Sequence, residues 1–199
     1  MRQRGGTQPV PISVEDVVTA ALRVVAESSL DRLTVRAVAE ECGVTAPAIH
    51  YHLRGGAELA DRVVEAVAAG IDVSVDANAS WVDQYVEFVT AMDRAFLRYP
   101  GTGLHALTAT GPSAAAGRLT ETALNILRGA GFDERTAAET FTATYLMFVG
   151  WLATRARAQH DGTHPALAAA GVGQAGSDGA EPLEAALRRL LGRTTGEQR

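Results

Sequence analysis

The apolar residues of this chain recur with a helical period along almost its whole length, and no stretch shows the apolar–polar alternation of a half-buried strand. This pattern predicts an all-α protein. Helices are expected to begin behind residues whose side chains can accept a hydrogen bond from a first-turn N–H, namely Ser13, Thr34, Thr45, Ser80, Ser113 and Asp133. A composition of 47% hydrophobic and 21% charged residues is typical of a globular protein that buries a core.

The predicted helices divide into two domains of unequal size. We expect a flexible arm over residues 1–12, a small helical domain over 13–72 and a larger helical domain over 73–199. Within the larger domain, residues 161–180 are rich in Gly and Ala with little periodicity, which predicts a mobile loop. Pro182 suits the first turn of a last amphipathic helix.

Charge and cysteine usage narrow the class of protein. The formal net charge of −5 argues against a protein that coats nucleic acid without specificity, because neutralising phosphates requires Lys and Arg. Cys42 is the single cysteine, and no run of the sequence reads as a signal peptide or a membrane span. These features predict a cytoplasmic protein without disulfides.

The stretch LTVRAVAEECGVTAPAIHYHL, residues 33–53, predicts two short helices joined by a tight turn at Gly43. Such a pair forms a helix-turn-helix when its second helix is exposed to a DNA major groove. The first turn of that helix offers the short side chains of residues 45–48, which suit contact with thymine methyls. A buried core would not favour the adjacent His50, Tyr51 and His52, whereas a surface that touches phosphates or bases would.

Residues 33–59, LTVRAVAEECGVTAPAIHYHLRGGAEL, resemble the tetracycline-repressor-like (TetR) family of transcriptional regulators. The resemblance implies that Thr34 caps its helix and touches phosphate, that Arg36 reaches a guanine edge, and that His52 bonds phosphate. The full predicted DNA-binding set is Thr34, Arg36, Thr45, Ala46, Pro47, Ala48, His50, Tyr51, His52 and Arg54.

The chain departs from the family pattern at two positions. His50 stands where the family has Tyr, and Gly56 stands where a Lys normally anchors the next helix to phosphate. Residues 1–60 hold six arginines against seven acidic residues, so few phosphate contacts and a shallow salt dependence are expected. One hypothesis is that Arg2 and Arg4 on the arm compensate in the minor groove.

Two aromatic stripes in the larger domain, from Trp81 to Tyr99 and from Phe141 to Trp151, could face each other around a ligand cavity. Such stripes are more often plain core, but the resemblance favours a cavity because these regulators usually sense a small molecule in this domain. The predicted ligand-binding set is Trp81, Tyr85, Phe88, Met92, Phe96, His105, Thr108, Asn125, Phe141, Thr144, Tyr145 and Phe148.

The segment LRGAGFDERTAAETFTATYLMFVGW, residues 127–151, resembles the tetracycline-repressor subclass, in which Gly-Phe precedes a long dimer helix. The polar residues that hold tetracycline and its metal are not recognisable here, so the predicted guest is aromatic or largely apolar.

The dimer helix is apolar on more than one side and so needs two partners, and the last helix carries one clean apolar stripe. The resemblance implies that both helices pair with their copies about a two-fold axis. The predicted dimer interface is Phe141, Met147, Trp151, Leu183, Leu187 and Leu190, although both helices could instead pack only within one chain.

No metal site, cofactor or catalytic residue is predicted. His50 and His52 are two residues apart and diverge on a helix, and no phosphate loop or nucleophile motif is present. We predict a homodimeric, ligand-responsive repressor that is not an enzyme and that a small effector releases from a palindromic DNA operator. Activation is an alternative, as is a helical small-molecule-binding protein or enzyme that does not bind DNA.

Overall fold

The computed structural model describes residues 12–109, 111–162, 164–169 and 179–194. All regular structure within these ranges is helical, which confirms the predicted all-α class. Except for Ile12, the predicted arm lies outside the described residues, as does half of the predicted loop. No helix in the described ranges combines the length and the hydropathy that crossing a bilayer requires.

The chain forms two compact units, an N-terminal unit of residues 1–63 and a C-terminal unit of residues 64–199. The boundary falls inside a helix, earlier than the predicted boundary after residue 72. The reason is that residues of the second half of this helix, Glu65 and Ala68, hydrogen-bond to residues of the C-terminal unit.

From residue 12 onward, the N-terminal unit contains three complete helices and the start of a fourth. A capping box begins the first helix, since Ser13 Oγ accepts from Asp16 N at 3.1 Å and the Asp16 carboxylate accepts from Ser13 N at 2.9 Å. The fully buried apolar residues of the N-terminal unit include Val17, Val25, Val38, Ile49, Leu59 and Val63. The helices are α1 (Val14–Glu27), α2 (Val35–Cys42), α3 (Ala46–His52) and α4 (Gly56–Ala69), with a 3₁₀ turn at Leu30–Arg32.

The C-terminal unit packs long helices around one core. Its helices are α5 (Trp81–Arg98), α6 (Thr102–Thr108), α7 (Ala114–Gly129), α8 (Glu134–Asp161), α9 (Pro165–Ala169) and α10 (Glu181–Thr194). Helix α5 packs against α6, α7 and α10, and α8 packs against α6, α7 and α10. The predicted N-caps form: Ser80 Oγ accepts from Asp83 N, Ser113 Oγ from Ala116 N, and Asp133 Oδ1 from Thr136 N.

Two short helices were not predicted. Helix α6 spans seven residues, TGLHALT, too few for a periodic pattern to stand out, and Gly101 with φ 86° lets the chain turn into it. Helix α9 lies within the stretch predicted as a loop, where Pro165 occupies the first turn and Ala residues favour the helix.

The ion pair between Asp93 and Arg155 is buried in the C-terminal unit. Arg155 on α8 donates to Asp93 on α5 at 2.7 Å, and the two residues are 5% and 1% exposed. Trp151 Nε1 also donates to Asp93, and the Arg155 guanidinium lies 4.8 Å from the centre of the Trp151 ring. Arg155 donates further to Gly179 O at 3.3 Å, so the pair joins α5, α8 and the segment before α10.

Candidate functional site

The turn between α2 and α3 has the geometry that the sequence predicts. Gly43 follows α2 with φ 66° and ψ 29°, a left-handed backbone conformation that residues other than glycine adopt only with strain. Gly43 N donates to Glu40 O at 3.1 Å, and Val44 N donates to Ala39 O at 2.9 Å. These bonds end α2 and direct the chain into α3.

Thr34 and Thr45 precede α2 and α3, and only the Thr34 side chain caps its helix. Thr34 Oγ1 accepts from Ala37 N at 3.1 Å, which leaves its own proton for an outside partner. Thr45 stands at the N-cap of α3, but its hydroxyl makes no capping bond, contrary to expectation. Pro47 has no N–H to offer, and Ala48 N donates to the Thr45 backbone carbonyl at 2.9 Å instead. The exposed Thr45 hydroxyl is therefore available to a ligand.

Helix α3 has one buried anchor and a polar outer face. Ile49 is fully buried, whereas Tyr51 is 87% exposed and His50 beside it is also exposed. His52 is half-buried, and its ring forms a T-shaped pair with that of Tyr51, with ring centres 5.2 Å apart. A tyrosine this exposed on a two-turn helix adds little to the core of its own chain, which favours a role in contact with another molecule.

Carboxylates contact this surface in two ways, through a guanidinium and through a backbone N–H. Arg36 Nε lies 3.0 Å from Glu40 Oε1, and both side chains are largely exposed. The backbone N–H of Arg54 donates to Glu58 Oε2 at 2.8 Å, and the Arg54 residue is exposed. At Gly56 an added Cβ would meet nothing within 4 Å, so packing does not exclude the missing lysine from this position.

A cavity of about 160 Å³ lies among α5, α6, α7 and α8 in the C-terminal unit. It brings together two-thirds of the predicted ligand-binding set: Tyr85, Phe88, Met92, Phe96, Phe141, Thr144, Tyr145 and Phe148. Residues that no aromatic pattern marks complete the wall: Val89, Gly103, Ala106, Leu107, Ala116, Leu119, Thr120 and Leu152. Most of these are small or aliphatic residues on α6 and α7, where the sequence carries no sign of a cavity.

Four predicted ligand residues lie outside the cavity wall. Trp81 is in the first turn of α5 and packs edge-on against Phe132 at 5.2 Å between ring centres. On α6 the cavity is lined by residues 103, 106 and 107, so the helical period turns His105 and Thr108 away. Asn125 is exposed and accepts from Arg128 at 3.0 Å.

One buried hydrogen bond interrupts the apolar wall. Tyr85 Oη and Thr144 Oγ1 lie 2.6 Å apart, which joins α5 to α8. Burial raises the pKa of Tyr85 to about 12, so the phenol stays neutral. The described residues that line the cavity include no Asp, Glu, Arg or His.

Two of the predicted dimer residues are buried, and the other four are half-buried: Phe141, Met147, Trp151 and Leu190. Leu183 and Leu187 are 2% and 0% exposed and belong to the core, so they cannot contact a partner chain. Phe141 lines the cavity, and Trp151 is held by Asp93. Instead, α8 presents an outer stripe of exposed residues, Ala143, Leu146, Gly150 and Ala153, in which Leu146 is 63% exposed.

Known proteins resemble both units. Residues 17–63 match the family described as bacterial regulatory proteins, tetR family. Tetracycline repressor protein class D of Escherichia coli is 32% identical over 124 residues, which make up 61% of this chain and 56% of the repressor. The chain therefore spans little more than half the length of that relative.

Solved structures share the fold over nearly the whole chain. A possible TetR family transcriptional regulator from Streptomyces coelicolor A3(2) superimposes with a TM-score of 0.76 at 22% identity, covering 92% of this chain and 98% of that one. The Streptomyces coelicolor TetR family protein ActR in complex with actinorhodin gives 0.71 at 19% identity, covering 92% and 95%. These likenesses concern the fold.

Proposed function

We propose that this chain is a member of the tetR family of bacterial regulatory proteins, a cytoplasmic, homodimeric transcriptional repressor that a small effector releases from its operator. The exposed outer face of α3 is the observation that carries this proposal. Its Thr45 hydroxyl has no partner within the helix, and Tyr51 projects into solvent. In a major groove these groups would meet base edges and phosphates.

The apolar cavity of the C-terminal unit supports the effector part of the proposal. Among the solved structures that share this fold, ActR has been solved in complex with actinorhodin. A relative by sequence carries the name of a tetracycline repressor. The cavity here is lined by aromatic and aliphatic side chains with few polar groups. We therefore expect a small, largely apolar or aromatic effector rather than a charged one.

The contacts of α7 offer a route from the cavity to α4. Ala116, Leu119 and Thr120 of α7 line the cavity. At the start of the same helix, Ser113 Oγ and Ala115 N both donate to the Glu65 carboxylate on α4, at 2.5 and 2.9 Å. A guest that displaces α7 would therefore displace α4.

A second set of bonds fastens the end of α4. The Arg118 guanidinium on α7 donates to Ala68 O at 2.8 Å and to Ala69 O at 3.1 Å. Because α4 begins at Gly56, soon after α3 ends, movement of α4 would change the placement of α3. The effector would then favour a conformer that does not fit the operator, and operator and effector would oppose each other reciprocally. Glu65→Gln is expected to reduce the factor by which effector weakens operator binding, while effector binding persists.

A two-fold dimer would present two copies of α3 to successive half-sites about 34–36 Å apart. The outer stripe of α8 suits such an interface, because its small residues allow two helices to approach closely and Leu146 lies exposed among them. The operator is therefore expected to be an inverted repeat.

A protein that binds a small molecule but no DNA is the competing function. The ion pair between Arg36 and Glu40 favours it, since a cation already paired with a carboxylate attracts phosphate less strongly. Selection of random duplex DNA by the purified protein at moderate salt separates the two functions. An enriched inverted repeat that Arg36→Ala no longer binds supports the repressor. No enrichment by a folded dimer, even at low salt, refutes DNA recognition and leaves the competing function.

A further inference from the structure

The hydrogen bond between Tyr85 and Thr144 determines what a guest meets in the cavity. Both residues line the cavity, and they are 1% and 2% exposed, so bulk water does not satisfy either hydroxyl. Each hydroxyl carries one proton and can accept through its lone pairs. The direction of the bond therefore decides whether a proton or a lone pair remains for the guest.

The surroundings of Thr144 favour one direction. Thr144 Oγ1 lies 3.0 Å from Thr140 O and 2.9 Å from Phe141 O, and both carbonyls can only accept. If the Thr144 hydroxyl donates to a carbonyl of its own helix, the Tyr85 hydroxyl can donate to Thr144 Oγ1, and both hydroxyl protons then have an acceptor. In the opposite direction, the Tyr85 proton would have no acceptor among the described residues, which is costly in a buried site.

We infer that Tyr85 Oη presents a lone pair to the cavity, and that the effector is a neutral, largely aromatic molecule carrying a hydroxyl or N–H donor. This inference rests on the proposed effector site and specifies its ligand class. A volume of about 160 Å³ accommodates at least one aromatic ring, since a cavity of roughly 150 Å³ in another protein holds benzene. A charged guest would lose its hydration against a wall that holds no charged side chain among the described residues.

Burial raises the pKa of Tyr85 to about 12, which agrees with this arrangement. The phenol keeps its proton at neutral pH and uses it on Thr144. The site therefore supplies neither a phenolate that could pair with a cation nor a free proton that could bind an anion. A neutral donor is the group that completes its hydrogen bonding.

The test compares two probes on the full chain, 2-naphthol and its methyl ether 2-methoxynaphthalene, by calorimetric titration. One hydrogen bond to the naphthol hydroxyl is expected to make it bind about 5- to 10-fold more tightly than the ether. The ether is the more apolar probe, so burial of apolar surface alone predicts the opposite order. Equal binding, or tighter binding of the ether, overturns the inference.

Two variants examine the direction of the bond. Thr144→Val removes the acceptor of the Tyr85 proton. The Tyr85 hydroxyl can then donate to the oxygen of either probe, so the preference for naphthol over its ether is expected to disappear. Tyr85→Phe removes the lone pair and should also abolish it. Thr120→Val is the matched control, since Thr120 lines the same cavity outside the pair and its loss should leave the ratio unchanged. A preference that survives Thr144→Val refutes the inferred direction.

The remaining outcomes separate this inference from the proposed function. If neither probe binds, both the ligand class and the effector site are refuted. If the naphthol preference is found but no operator is selected, the ligand class is supported and DNA recognition alone fails. The binding ratio is measured without DNA, so the two results are independent.

Discussion

Asp93→Ala is expected to destabilise the C-terminal unit by about 3–5 kcal/mol, the range observed when one partner of a buried ion pair is removed. Asp93 and Arg155 are 1% and 5% exposed and lie 2.7 Å apart, so the variant leaves a guanidinium uncompensated inside the protein. Trp151 Nε1 loses its acceptor at the same time. Since Asp93 unites all these bonds, its loss should cost far more than that of a surface carboxylate.

The neighbouring residue provides a matched control. Arg94 lies 2.6 Å from Glu87, a shorter distance than in the buried pair, but the two side chains are 57% and 56% exposed. Arg94→Ala is therefore expected to cost less than about 1 kcal/mol. Burial, rather than the distance between the charged atoms, sets the difference between these two positions.

Urea unfolding followed by Trp fluorescence measures both effects. With a slope of about 2 kcal/mol per molar urea, Asp93→Ala should lower the midpoint by roughly 2 M. The double variant Asp93→Leu, Arg155→Met should recover most of that loss, because neither charge then remains buried. A loss below about 1 kcal/mol for Asp93→Ala, or a double variant as unstable as the single one, would refute the reasoning.

Four further outcomes are expected. Gly43→Ala should destabilise the fold by about 1–2 kcal/mol, while Gly117→Ala should stabilise it by up to about 1 kcal/mol. An added Cβ meets nothing within 4 Å at either site, but only Gly43 has a positive φ. Thermal melts compare the two variants, and equal effects on stability would contradict this reasoning. Gly56→Lys should steepen the salt dependence of operator binding by about 0.9 in the log–log slope, read by anisotropy; an unchanged slope would place residue 56 away from phosphate. Leu146→Arg should yield monomers in sedimentation analysis, whereas an intact dimer would exclude the outer stripe of α8 as the interface. Burial raises the pKa of Tyr85 from its ordinary 10.0 to about 12, so above pH 10 the folded state retains a proton that the unfolded chain releases. The free energy of unfolding should therefore fall by ~1.4 kcal/mol per pH unit between pH 10 and 12. Tyr85→Phe should remove that fall.

Features that depend on neighbouring residues were predictable from the sequence. The caps at Ser13, Thr34, Ser80, Ser113 and Asp133 form between residues three apart, and the left-handed turn at Gly43 is a local backbone requirement. The stripes of α5 and α8 also predicted most of the aromatic cavity wall, because large apolar side chains at helical spacing must be covered by something. The family resemblance of residues 33–59 agrees with the match over residues 17–63.

Features that depend on how distant helices meet were decided by the tertiary structure. Asp93 and Arg155 lie 62 residues apart, and neither residue carries a local sign that it is buried or paired. Thr120 and Gly103 line the cavity only because α7 and α6 pack beside the aromatic helices. The stripe containing Leu183 and Leu187 showed that one face of α10 is buried, but periodicity does not reveal whether the chain itself or a partner covers that face. Packing answers that question, since both leucines lie in the core of their own chain.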